Sequence, residues 1–131
     1  MENIIEVLKS SDDLSAGKGA SEEQIDEASK ALGLVFAEDY LMYLREFGLA
    51  YVNGHELTGI GIIPRNDVVT VTLEKRELPH VEAIPEDWYV VEDANIDCIV
   101  IWQSSKGLIY MESPGAIKQV YASMAEFILK S

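Results

Sequence analysis

Apolar residues in the first third of the chain recur at the spacing of an α-helix. The pattern predicts three short helices, at residues 2–9, at 21–32 and at about 37–47. The second helix has the clearest end signals. Ser21, with Gln24 three residues later, forms a capping box, and Gly33 suits the left-handed position that follows a helix. Gly48 is predicted to end the third helix.

From residue 49 onward the pattern changes to that of β-strands. Asn53-Gly54 lies between two strand-like runs and is the strongest two-residue signal for a hairpin turn. Residues 59–64 are predicted to continue as a strand and then to turn. Residues 67–78 carry conflicting signals, because their valines favour a strand whereas Asp67 as a cap and the charged residues 74–77 favour a helix. We predict a helix there.

The last third of the chain alternates strand-like runs with turn residues. Strands are predicted at 89–91, 99–102, 108–111 and 117–121, with a loop at 104–107 and a tight turn at 113–115. Ser123, with Glu126 three residues later, begins a terminal helix. The elements predict one α+β domain over residues 1–131, with a largely antiparallel sheet and the N-terminal helices and the C-terminal helix packed on one face.

Acidic residues outnumber basic ones, with 23 Asp and Glu against 10 Lys and Arg and a net charge of −13. Nucleic-acid binding depends on cations that neutralise phosphates, so this charge argues against a nucleic-acid partner. The charge would attract a basic protein at low salt. A high net charge also keeps a small protein soluble, and that ordinary explanation stays open.

The chain shows no signal for secretion and no membrane-spanning run. Its start lacks basic residues, and its longest apolar run, at 98–102, is far shorter than the ~18 residues that a spanning helix needs. A single cysteine excludes an internal disulfide and fits a reducing compartment. We expect a cytoplasmic protein without a membrane partner, either a monomer or a weak dimer.

The sequence offers no complete metal site. Asp93, Asn95 and Asp97 match the first oxygen ligands of a calcium loop. The loop also needs a glycine at its sixth position and a glutamate at its twelfth, where this chain has Cys98 and Ser104. The two histidines and the cysteine lack the paired spacing of a zinc site. We predict no metal and no cofactor.

Catalytic motifs are also missing. No serine stands in a Gly-x-Ser-x-Gly elbow, and no glycine loop is followed by the lysine of a phosphate site. Two carboxylates facing each other across a cleft could still hydrolyse a glycoside, and spacing alone does not test that alternative. We predict that the chain is not an enzyme.

One interval of the chain combines acids with aromatic residues. Residues 81–105 contain no Lys or Arg, and their acids surround two tryptophans and a tyrosine. Exposed aromatic side chains among acids are typical of protein-binding surfaces. Trp102, at the end of an apolar run, is predicted to be largely buried. For Trp88 two positions stay open, one in the core and one on the surface as an anchor for a partner. The predicted partner-binding residues are Glu86, Asp87, Trp88, Glu92, Asp93 and Asp97.

Several of these motifs resemble one family of small domains. They are the capped helix from Ser21, Leu32-Gly33, the acidic start of the third helix before Tyr40, Phe47-Gly48, Asn53-Gly54, the run 90–93, the return at 107–110 and the closing helix at 123–128. Together they span residues 21–129 and resemble the SUKH superfamily, immunity-type domains related to fungal regulators of cell-wall synthesis. Ala37 stands where the family usually has proline. The resemblance also favours a helix at 67–78.

The resemblance implies a mixed α+β binding domain without enzymatic activity. In bacteria such domains are typically encoded beside a toxin, often a nuclease, and neutralise it by binding. An acidic inhibitor can occupy the basic cleft of a nuclease as a phosphate mimic, which agrees with the net charge of −13. We therefore expect an immunity protein that binds a basic toxin domain. A regulatory scaffold that binds a cellular partner is the alternative, and a carboxylate-dependent hydrolase is the third.

Overall fold

The computed structural model describes residues 3–61, 63–94 and 98–131. In these ranges the α-helices are α1 (Ile4–Lys9), α2 (Glu22–Leu32), α3 (Glu38–Glu46), α4 (Val68–Arg76) and α5 (Met124–Lys130). The strands are β1 (Ser15–Ala16), β2 (Ala50–Val52), β3 (His55–Glu56), β4 (Tyr89–Asp93), β5 (Val100–Gln103), β6 (Ile109–Ser113) and β7 (Ala116–Tyr121). A short 3-10 helix at Pro64–Asn66 precedes α4.

The strands form two antiparallel sheets. A small sheet has the order β1-β2-β3, and a four-stranded sheet has the order β4-β5-β6-β7. Asn53 and Gly54 join β2 to β3 with φ angles of 51° and 80°, the left-handed backbone that a tight hairpin turn requires. The predicted hairpin is confirmed. The register of β4 against β5 shifts between Val90 and Glu92, which marks a β-bulge.

Local side chains fix the helix ends where the sequence predicts them. Ser21 Oγ accepts a hydrogen bond from Gln24 N at 3.1 Å, and Ser21 N donates to Gln24 Oε1 at 2.9 Å. Gly33 follows α2 with φ 69°. Ser123 Oγ accepts from Glu126 N at the start of α5. No helix in the described ranges has both the length and the hydropathy to cross a membrane.

Helix α4 resolves the conflict between strand and helix signals. Asp67 Oδ2 accepts a hydrogen bond from Thr70 N at 3.0 Å and caps the helix. Val71 and Thr72 are buried, and Thr72 Oγ1 accepts a hydrogen bond from Val90 N of β4 at 3.0 Å. Packing against the sheet outweighs the weak strand propensity of the β-branched residues. The helix prediction is confirmed.

The four-stranded sheet carries apolar side chains on both faces. On the side that we call the helix face, Tyr89, Val91, Ile101 and Ile109 belong to one core with buried residues of α1, α2, α3 and α5. On the opposite side, the outer face, a smaller cluster contains Val71, Trp88, Val90, Val100 and Trp102. The predicted α+β class is confirmed, and so is the common core of the N-terminal and C-terminal helices.

A buried polar network lies within the helix face. Tyr89 Oη accepts a hydrogen bond from Ala37 N at 3.0 Å and donates to Gln103 Oε1 at 2.7 Å. Gln103 Nε2 donates to Asp39 Oδ1, and Asp39 Oδ2 accepts from Met124 N. Burial raises the pKa of Tyr89 well above its ordinary value, so the hydroxyl keeps its proton and donates. The network ties α3, α5 and two strands together.

The structure differs from the sequence expectations at three points. The strand predicted at 59–64 is wrong, because in the described residues 59–61 and 63–64 Gly59 makes an isolated bridge to Asp67 and Pro64 begins the 3-10 helix. Gly59 lies so close to the backbone of Gly48 that a Cβ would sit 2.0 Å from its carbonyl oxygen. Glycine, which has no Cβ, is therefore required where these two backbones meet. Strand β1 was not anticipated within the loop 10–20, and the strands divide into two sheets.

Candidate protein-binding face

Residues 77–88 connect α4 to β4 without helix or strand, and we call them the 77–88 segment. The segment exposes two apolar side chains, Leu78 at 48% and Val81 at 58%. Glu77, Glu82 and Glu86 are exposed on the same segment. Connecting segments of this kind often carry function because a rigid scaffold positions them. The segment therefore presents apolar and acidic side chains together.

His80 fastens the middle of the segment to the sheet. Its Nδ1 lies 2.5 Å from Glu112 Oε2, and its Nε2 lies 2.8 Å from the carbonyl oxygen of Lys75. A carbonyl oxygen only accepts, so His80 Nε2 is the donor in that bond. The other carboxylate oxygen of Glu112 accepts from Trp102 Nε1 at 2.9 Å. His80 thus links α4, the segment and two strands.

Arg76 holds the end of the segment through its guanidinium. Nη1 donates to the carbonyl oxygen of Leu32 at 3.2 Å, and Nη2 donates to those of Glu86 at 3.2 Å and Trp88 at 3.3 Å. Burial lowers the pKa of Arg76, and the nearby Glu86 carboxylate acts in the opposite direction. Arginine stays protonated at neutral pH in either case. The cation is therefore engaged with backbone oxygens.

Asp87 and Ser105 make a third attachment. Ser105 N donates to Asp87 Oδ2 at 3.2 Å, while Ser105 Oγ donates to the carbonyl oxygen of Val35 at 2.5 Å. These bonds connect the segment to the β5–β6 loop and to the turn between α2 and α3. Asp87 is half-buried and has a structural partner, so its carboxylate is only partly available to another protein.

Trp88 lies inside the molecule, which corrects its placement on the binding surface. Its exposed fraction is 8%, and its ring stacks on Tyr110 with centroids 4.0 Å apart and planes 20° from parallel. Trp102 is fully buried, as predicted. Both tryptophans belong to the outer-face cluster, to which the 77–88 segment contributes Trp88. Trp88 supports the surface and does not contact solvent enough to anchor a partner.

Glu92 is the second correction. The side chain is 7% exposed, and the bulge in β4 places it opposite Ile101 of the helix face. Its carboxylate lies 2.7 Å from His55 Nδ1 and accepts from Glu56 N at 3.0 Å. The hydrogen bond to Glu92 raises the pKa of His55, while burial of the ring acts to lower it. Glu92 is thus a structural residue joining β3 to β4.

The remaining predicted acids differ in their surroundings. Asp93 lies 3.1 Å from Lys75 Nζ and is half-buried. Glu86 is exposed on the 77–88 segment. Asp97 lies outside the described residues, as does Asn95 of the calcium-like run. Glu86, Asp87 and Asp93 therefore retain exposed or half-exposed side chains on the side of the sheet that the segment covers.

Sequence reasoning missed the apolar part of this face. Leu78 and Val81 stand on either side of Pro79-His80, and Pro85 follows, in a run that fits neither helical nor strand periodicity. Such a run cannot bury its apolar residues by regular packing. The absence of helical or strand periodicity in this run could have been used to predict that its apolar residues are exposed.

A groove of about 330 Å³ lies between the 77–88 segment and the turn from β6 to β7. The segment contributes Leu78, Pro79, His80 and Val81, and the turn contributes residues 113–115. Cys98 and Val100 also line it. Both ring nitrogens of His80 are engaged, so the imidazole is not placed as a general base for the exposed Cys98 thiol. In the described ranges no three His, Cys, Asp or Glu side chains gather as a metal site.

Comparison with known proteins identifies a family. The chain is similar to the family model SUKH_5, described as SMI1-KNR4 cell-wall, over residues 1–131. A search among curated proteins finds no match.

Proposed function

The chain belongs to the SMI1-KNR4 family, and on this basis we propose that it is a non-enzymatic immunity protein that binds and neutralises a cognate toxin domain. The observation that carries the proposal is the 77–88 segment, which exposes Leu78 and Val81 together with acidic side chains of the same segment. The proposed place of action is the cytoplasm, and the proposed active form is a monomer or a weak dimer.

The charge of the segment supports a basic partner. Residues 77–88 include no Lys or Arg, and the two preceding cations are engaged, Lys75 with Asp93 and Arg76 with carbonyl oxygens. The exposed charge of the segment is therefore negative. A negative patch on a protein of net charge −13 accelerates its encounter with a basic protein, and salt screens the effect.

The apolar side chains supply the second half of the mechanism. After an electrostatic encounter, the lifetime of a complex depends on desolvated anchors that pack at the centre of the interface. Leu78 and Val81 are exposed at the position where such an anchor would pack. In this mechanism the acidic segment occupies the basic surface with which a nuclease toxin would hold nucleic acid, and the toxin is inhibited by occlusion.

The test is binding to the toxin domain encoded by the gene beside this one. Calorimetry with both purified proteins should give nanomolar affinity at low salt and a higher Kd at high salt, because screening weakens the encounter. The toxin should lose its activity at a one-to-one ratio. Absence of binding at both salt concentrations would contradict the immunity function.

The family description favours one other function. Its reference to the cell wall points to a regulatory scaffold that binds a cellular partner, with the same segment as the contact surface. A pull-down from the native cell would separate the two functions. Capture of a cellular regulator in the absence of any toxin gene would favour the scaffold.

A further inference from the structure

We propose that the groove beside the 77–88 segment receives one apolar side chain projecting from a basic segment of the partner. This inference rests on the proposed binding function and specifies the partner's contact chemistry. Its occupant is an aliphatic or aromatic side chain flanked by Lys or Arg.

The size of the groove fits a side chain. Sites for small molecules and cofactors usually occupy about 300–1,000 Å³, and this groove, at about 330 Å³, lies at the lower limit. Its walls are largely apolar, with Leu78, Val81 and Val100 among them. Burial of one large apolar side chain against such walls removes its surface from water and stabilises the complex.

The Lys, His, Asp and Glu side chains that line the groove are already paired. Lys75 Nζ lies 3.1 Å from Asp93, and His80 Nδ1 lies 2.5 Å from Glu112. A buried cation from the partner would have to compete for one of these carboxylates, and an unpaired buried charge is costly. An apolar occupant leaves both pairs intact. The interior therefore favours an apolar side chain over lysine or arginine.

The edge of the groove has the opposite preference. Glu77 and Glu82 are exposed, and each adjoins in sequence a residue that lines the groove, Leu78 and Val81 respectively. A partner chain that enters the groove with an apolar side chain would meet the negative charge of this segment. Charge complementarity then places basic residues on either side of the anchor.

Two model peptides test this chemistry without the toxin. One has a central leucine between two pairs of lysines, and the other has alanine in place of the leucine. Titration of the ¹⁵N-labelled protein should show the leucine peptide shifting the amide signals of Leu78, Val81 and Val100. Its affinity should exceed that of the alanine peptide about tenfold, because burial of the larger side chain adds apolar contact. Equal affinities, or shifts located elsewhere, would overturn the proposal.

Two variants and one chemical modification sharpen the result. Leu78→Asp and Val81→Asp should each abolish the preference for leucine, whereas Leu129→Asp, at another exposed apolar position, should retain it. Alkylation of Cys98, the single cysteine, should block the groove without a mutation. Leucine preference that survives both variants and alkylation would contradict the groove as the binding site. The amide spectrum of each protein verifies its fold.

The toxin experiment separates this inference from the proposed function. If the toxin domain binds both aspartate variants as tightly as the unmodified chain, the groove inference fails and the immunity function stands. If the leucine peptide occupies the groove but the toxin does not bind, the immunity function fails and the groove chemistry stands.

Discussion

The two faces of the four-stranded sheet are covered in different ways. The helix face packs against buried residues of α1, α2, α3 and α5. The outer face has a smaller cluster, and the irregular 77–88 segment contributes Ile84 and Trp88 to it. That segment is attached through side chains, including those of His80 and Arg76. The helix face is covered by helices, whereas the outer face is covered by α4, through Val71, together with a fastened loop.

We infer from this difference that the helix face mainly stabilises the fold, whereas the 77–88 segment is available for recognition of a partner. A helix that covers a core turns its apolar residues inward and leaves a polar outer surface. The 77–88 segment instead keeps its fastening residues inward and leaves Leu78 and Val81 exposed. In the free protein these two apolar side chains remain in contact with water, and a partner that binds the segment can bury them. Four predictions test this contrast, in order of decreasing effect on stability.

Shortening a helix-face core residue should have the largest effect. Leu44 is fully buried, so Leu44→Ala should lower the free energy of unfolding by about 2–5 kcal/mol. The matched Leu78→Ala change on the exposed segment should alter it by less than about 0.5 kcal/mol. Urea unfolding followed by circular dichroism measures both. Similar losses in the two variants would contradict the division of roles.

Removing the Arg76 guanidinium should have an intermediate effect. Arg76→Met keeps the apolar stem but loses the bonds to Leu32, Glu86 and Trp88, which should cost about 1–2 kcal/mol of unfolding free energy. Limited proteolysis should then cleave faster within residues 77–88. Lys118→Met, on the exposed side of β7, removes the same charge without those bonds and is the control. Unchanged proteolysis in Arg76→Met would show that the guanidinium does not hold the segment.

The His55–Glu92 pair should make stability depend on pH. The pKa of His55 is raised in the folded protein, chiefly by its hydrogen bond to Glu92. The added stability is therefore fully present below the unfolded pKa of about 6.5 and is lost as pH rises through the higher folded pKa. The stability difference between the native chain and His55→Gln should shrink over that range. A difference that grows with pH would contradict the assignment.

Charge reversal on the segment should have the smallest effect on folding. The Glu77→Lys and Glu82→Lys double variant should change the free energy of unfolding by less than about 0.5 kcal/mol, because both residues are exposed. Association with the toxin domain at low salt should slow about tenfold or more. The control is the double variant Asp26→Lys with Glu27→Lys on α2, which changes the net charge of the protein by the same amount as the segment variant. Equal slowing in both double variants would indicate an effect of total charge only.

Local interactions explain why much of the fold could be predicted. The capping box at Ser21, the turn at Asn53-Gly54 and the cap at Asp67 each involve residues within a few positions. Their geometry depends on sequence neighbours, so the pattern specifies them. For this reason the helix ends at these positions could be predicted from the sequence.

Pairing between distant segments explains most of what the sequence did not show. Glu92 faces His55 only because β4 contains a bulge, and Trp88 is buried because it stacks on Tyr110 of β6. Neither contact follows from local spacing. The acid and aromatic composition of residues 81–105 led to the predicted partner-binding residues, but only the fold separates the structural acids of this interval from its exposed ones.

The hydrogen bond from Ala37 to Tyr89 has a consequence for how relatives diverge. Ala37 has a φ of −63°, which proline would adopt without strain, but proline has no amide proton to donate to Tyr89 Oη. A relative with proline at position 37 would leave that buried hydroxyl with one bond fewer. Phenylalanine at 89 would in turn withdraw the donor from Gln103. We therefore expect positions 37, 89 and 103 to covary among relatives, because their side chains and backbone groups share one hydrogen-bond network.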